Sequence, residues 1–131
     1  MTLWVKTSTD PYDWSAGPLL LTIDGNNHDA FPMVLPDGSF VVLWARVANG
    51  AFQIVSARSR DGVTWEPIRQ HTDRAGLHNV QPHAVPGARP GTVELYWGAA
   101  QEPGYVDLDI VREPAVLVAD GLFADGFEAG S

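Results

Sequence analysis

The chain has 131 residues, of which 45% are apolar, so one domain with a packed core is within reach. Acidic residues outnumber basic ones 16 to 8, and a net charge of −8 repels a phosphate backbone, which excludes nucleic acid as a partner. The absence of cysteine excludes disulfides and thiolate metal sites, and no apolar run approaches the ~20 residues of a membrane-spanning helix.

The first residues, MTLWVKTSTD, contain no basic-then-apolar signal segment. Residues 3–7 read as a strand, STDPYDW (8–14) as a turn, and residues 18–23 as a second strand. Residues 31–35 are apolar and stop at Pro36-Asp37-Gly38, a turn signal. Residues 39–47 are rich in β-branched and aromatic side chains and break at Asn49-Gly50, a dipeptide that favours a tight hairpin. Residues 52–58 alternate, with Phe52 and Ile54 on one face and Gln53, Val55 and Ala57 on the other. The turn SRDGVTW (59–65) leads into a predicted fourth strand at 66–71, and residues 78–112 supply three more strands. The stretch PAVLVA (114–119) reads as strand rather than helix. No other window keeps a 3.6-residue period free of Gly and Pro for three turns.

Three segments of this pattern recur. HDAFPMVLP (28–36) aligns with HNVQPHAVP (78–86) at an offset of 50, matching the first histidine and both prolines. GSFVVLWA (38–45) aligns with GTVELYWG (91–98) at an offset of 53, the difference falling on an insertion at 87–90. STDPYDW and SRDGVTW share Ser, Asp and Trp 51 residues apart. Four antiparallel strands in about 50 residues make one blade of a propeller. The predicted fold is therefore all-β, with antiparallel four-stranded propeller blades. It divides into a partial blade at 1–26, a complete blade at 27–75, a partial blade at 76–118 and an acidic tail at 119–131. The third copy of the turn falls near 112–115 and lacks the Ser, Asp and Trp.

The chemistry of the repeated turn favours a fastening over catalysis. Asp61 can accept hydrogen bonds from backbone N–H groups two and three residues on, and Gly62 permits a positive φ. Ser59 and Thr64 complete the turn, and Trp65 can bury about 200 Å² between strands. Ser8, Asp10 and Trp14 stand in the same places one period earlier. SRDGVTW resembles the Asp box (BNR repeat) of sialidases, and STDPYDW resembles a degenerate copy without the glycine. The resemblance implies a six-bladed type of propeller whose boxes are structural, and a lineage of glycoside hydrolases acting on extracellular glycans. It also implies an arginine triad. The place matching the family's first arginine reads Ala30-Phe31-Pro32 here, so the catalytic set is incomplete in this chain.

Openings of the inner strands converge in such a fold and gather polar residues into one funnel. The candidates for ligand binding are His28, Asp29, His78, Asn79 and His83, which could bond sugar hydroxyls, with Asp29 the one candidate catalytic carboxylate. Glycoside hydrolysis needs a second carboxyl group about 5–9 Å away. No cofactor is expected, nor a metal site, since no pair has tight ligand spacing. Three functional readings remain open: an Asp-box propeller segment acting on or recognising glycans, a lectin-like module that closes by self-association, and an interaction propeller without sugar binding. About two blades cannot close a ring, so the expected partners are further copies or the remaining blades of a longer propeller. The final LFADGFEAG (122–130) is similar to a segment at the C-terminal ends of some exported proteobacterial proteins, which favours a secreted or envelope location.

Overall fold

In a computed structural model of the chain, residues 2–6, 8, 10–13, 19–20, 26–104 and 107–117 are described, and all their regular structure is β. The strands are β1 (Trp4–Val5), β2 (Leu19–Leu20), β3 (Asn27–Val34), β4 (Phe40–Ala48), β5 (Ala51–Ser59), β6 (Arg69–Gln70), β7 (Asn79–Pro86), β8 (Thr92–Ala100) and β9 (Leu108–Val116). They form three antiparallel sheets in chain order: β1-β2, then β3-β4-β5-β6, then β7-β8-β9. Among the described residues no helix is long and apolar enough to cross a membrane. Trp14 and the tail at 119–131 lie outside the described residues.

Local chemistry sets the turns. Asn49 (φ 54°) and Gly50 (φ 80°) both occupy the left-handed region, the geometry of a type I′ hairpin, and Ala48 pairs with Ala51 across it. At the β3–β4 turn, Asp37 accepts hydrogen bonds from the Ser39 amide (2.8 Å) and hydroxyl (2.6 Å). Arg58, only 2% exposed, donates to Asp37 (3.1 Å), Glu66 (2.6 Å) and the Ser39 hydroxyl (3.2 Å). This buried cation thereby ties the β3–β4 turn to β5 and to the segment after it. The fourth strand, expected over 66–71, contracts to Arg69–Gln70. Pro67 has no N–H to give the ladder, but Glu66 N–H to Arg58 O and His71 N–H to Ile54 O, both 2.8 Å, carry pairing to either side.

The repeat is present, in a different register from the one the sequence suggests. Trp44 Nε1 donates to Asn27 Oδ1 at 2.8 Å, and Trp97 Nε1 donates to Asn79 Oδ1 at the same distance. Asn27 therefore corresponds to Asn79, 52 residues on, and the match of His28 with His78 is two residues out of register. His28 lies within β3, whereas His78 precedes β7. Both inner pairings slip where the chain bulges, between His28 and Phe31 and between Val80 and His83.

The sheets stack face to face, and β4 is buried on both sides. Val42 and Trp44 join Leu3, Val55 and Ala57 in a core toward β1-β2, with Trp65 packed on it. Val41, Leu43 and Ala45 join Ile54 from their own sheet and Val80, Val93, Leu95 and Trp97 from the next. Period-two alternation thus serves two cores at once, which explains why this strand reads as an unbroken apolar run. The far side of the third sheet differs. Ile110 pairs with Gly98 there and is 80% exposed, whereas Ile54 at the corresponding place in the second sheet is fully buried.

Candidate functional site

The strands β3, β5, β7 and β9 all begin at one end of the stack. The two bulges at that end put Asp29 (φ 60°) and Gln81 (φ 56°) into the left-handed region at matching positions. Asp tolerates this conformation, but for Gln it costs on the order of 1 kcal/mol. The bulges touch: the Gln81 N–H donates to Asp29 Oδ2 at 3.2 Å, joining the second sheet to the third. Between them opens a cleft of about 480 Å³ lined by Asn26, His28, Asp29, Phe52, Val80, Gln81 and Leu108.

The cleft has a polar and an apolar wall. On the polar side, His28 Nε2 lies 2.5 Å from Asn26 Oδ1, which orients the imidazole, and the same ring meets Phe52 edge-on at 5.4 Å. With one oxygen of Asp29 engaged by the Gln81 amide, the carboxylate keeps a second oxygen that can accept a hydrogen bond from a hydroxyl. Phe52, Val80 and Leu108 provide the apolar surface. Asp29 is the one carboxylate among the described lining residues, so the two-carboxylate arrangement of glycoside hydrolysis is not assembled there. Among the described residues no three His, Cys, Asp or Glu side chains are grouped as a metal site.

Of the five candidates from sequence, His28 and Asp29 line this cleft and three do not. His78 sits behind it: its Nδ1 accepts the Phe52 N–H (3.1 Å), and the two rings lie 5.5 Å apart. Asn79 is fully buried, with its amide donating to Gln53 Oε1 (2.9 Å) and its carbonyl accepting from Trp97. That buried network continues through Gln53, which also accepts from Thr72 Oγ1 (2.8 Å) and donates to Arg74 O (2.9 Å). His83 packs on Phe31 at 5.0 Å, past the bulge. Phe52 and Asn26 are not among the sequence candidates, and Gln81 enters the sequence reading only as a residue that follows His78-Asn79 at the strand opening. In the sequence Phe52 reads only as a strand-face residue, and no local signal announces a left-handed glutamine.

The repeated turn lies at the opposite end. β5 runs from the cleft to Ser59 over nine residues, about 30 Å at ~3.3 Å per residue. There Asp61 Oδ1 accepts from the Val63 and Thr64 amides at 2.8 Å each, and Ser59 Oγ donates to it at 3.1 Å while accepting the Gly62 N–H at 2.8 Å. Gly62 is at φ 79°. The Thr64 amide, then that of Val63, holds the Asp61 carboxyl below its ordinary value. In the earlier copy Asp10 Oδ1 accepts the Tyr12 N–H at 2.9 Å, and the Asp10 N–H donates to Ser8 Oγ at 3.1 Å. Both aspartates serve their own backbones. Trp65 is partly buried and packs against the core that contains Trp44, and its Nε1 has no partner among the described residues.

Compared with known proteins, the chain matches no family model, no curated protein and no solved structure.

Proposed function

We propose that this chain is a run of sialidase-like Asp-box propeller blades that recognises extracellular glycans through the cleft at Asp29, as a binding module without hydrolytic activity. The observation that carries this reading is the pairing of the two bulges, which gathers His28, Asp29 and Gln81 with Phe52 around one opening. Sugars present hydroxyls that both give and accept hydrogen bonds, together with C–H faces that pack on aromatic rings. A cleft of a few hundred Å³ with a few convergent polar groups and an apolar wall suits such a ligand. Face-to-face stacking of antiparallel sheets and the two aspartate-centred turns support the propeller part of the proposal. Ring closure would come from further copies or from further blades of a longer chain.

The test is a glycan array read beside hydrolysis of aryl glycosides. Binding that weakens in Asp29→Asn, with no aglycone released by the native chain, is the expected result. Release of aglycone would establish a hydrolase instead. An array without any Asp29-dependent signal would favour an interaction role.

A further inference from the structure

We infer that the sugar taken by this cleft is uncharged, an inference that rests on the glycan-binding reading above and narrows it. None of the described lining residues is Lys or Arg, and the one formal charge among them is the Asp29 carboxylate. Asp29 is held in place by the Gln81 amide at 3.2 Å, so it cannot swing away from an incoming ligand without breaking the link between the two bulges. A sugar carboxylate or sulfate seated about 5 Å from it, at an effective dielectric constant of about 50, is disfavoured roughly tenfold by that charge alone. The net charge of −8 adds a repulsive long-range field.

The remaining polar groups match hydroxyls. Asp29 offers an acceptor, the exposed Gln81 side chain offers both a donor and an acceptor, and the His28 ring is fixed by Asn26 through its Nε2. Hydroxyls satisfy such a mixture, whereas an anionic group needs donors without competing acceptors. Phe52 and Leu108 complete the fit, because they face an uncharged C–H surface at no desolvation cost.

The experiment measures affinity for matched glycan pairs that differ only by a terminal sialic or uronic acid, at low and high salt. The expected result is binding of the neutral member at least about tenfold tighter, an affinity for it that does not change with salt, and a narrowed gap in Asp29→Asn. A second variant, Gln81→Arg, supplies the missing cation beside Asp29 and should raise affinity for the acidic member while the fold is retained by circular dichroism. Equal or tighter binding of the acidic glycan by the native chain overturns this inference and leaves glycan recognition standing. Binding of neither member overturns both.

Discussion

Replacing Asn79 by Ala tests whether the buried amide couples the second and third sheets. The side chain makes two hydrogen bonds, one accepted from Trp97 Nε1 at 2.8 Å and one donated to Gln53 Oε1 at 2.9 Å. Their losses are unequal. Gln53 Oε1 keeps the Thr72 hydroxyl and the Arg74 amide, so its loss is about 1 kcal/mol. Trp97, 6% exposed, is left with a largely buried N–H that has lost its acceptor, which costs a further ~1–3 kcal/mol. The sum, about 2–4 kcal/mol, corresponds in a chain of this size to a thermal midpoint lower by roughly 10 °C. Urea unfolding followed by far-ultraviolet circular dichroism measures it. In a Trp97→Phe background there is no indole donor to strand, so the cost of Asn79→Ala should fall by at least about 1 kcal/mol. A single-variant cost below about 0.5 kcal/mol, or the same cost in both backgrounds, would refute the argument.

Two further outcomes follow from burial. Ile54→Ala should destabilise by about 2–5 kcal/mol and Ile110→Ala by less than about 0.5 in the same urea assay, because these corresponding side chains are 0% and 80% exposed. Equal costs would mean that the far side of the third sheet is covered. Burial, with a smaller contribution from nearby Arg69, lowers His71 from 6.5 to about 4. Its folded-state pKa lies below the unfolded one, so its contribution is complete above pH 6.5 and is lost as the pH falls toward about 4. His71→Gln should flatten the decline of stability across that window, by at most about 3 kcal/mol. A slope unchanged by the substitution would refute the assignment. Asp37 and Asp61, whose carboxyls are lowered from 3.8 chiefly by hydrogen bonds from Ser39 and Thr64, contribute above 3.8 and lose that contribution only at still lower pH.

The features legible in the sequence are those that neighbouring residues determine together. Asn49-Gly50 can form its turn without help from elsewhere, and Asp61 reaches amides only two and three residues away. The double apolar face of β4 is visible as a run. Contacts across strands are not local, and there the sequence pattern and the structure differ. His28 and His78 look alike on paper, while the true equivalence is carried by Asn27 with Trp44 and Asn79 with Trp97, 17 and 18 residues apart. Asn79, a ligand candidate because it is polar and opens an inner strand, instead gives its amide to the core. Of the candidate site, His28 and Asp29 could be found because they are polar and open a strand. Phe52 could not, because the stacking of a second sheet brings it there, and the left-handed backbone that turns Gln81 into the cleft comes from a bulge with no local signal.

A strand with no solvent-facing side has a practical corollary for anyone dissecting this polypeptide. Excising the stretch from Asn27 to Gln70 by itself would strip both coverings from β4 at once, wetting Leu43 on one flank and Trp44 on the other. Such a fragment would stick to itself rather than fold, so useful truncations keep a sheet on each flank of the one under study.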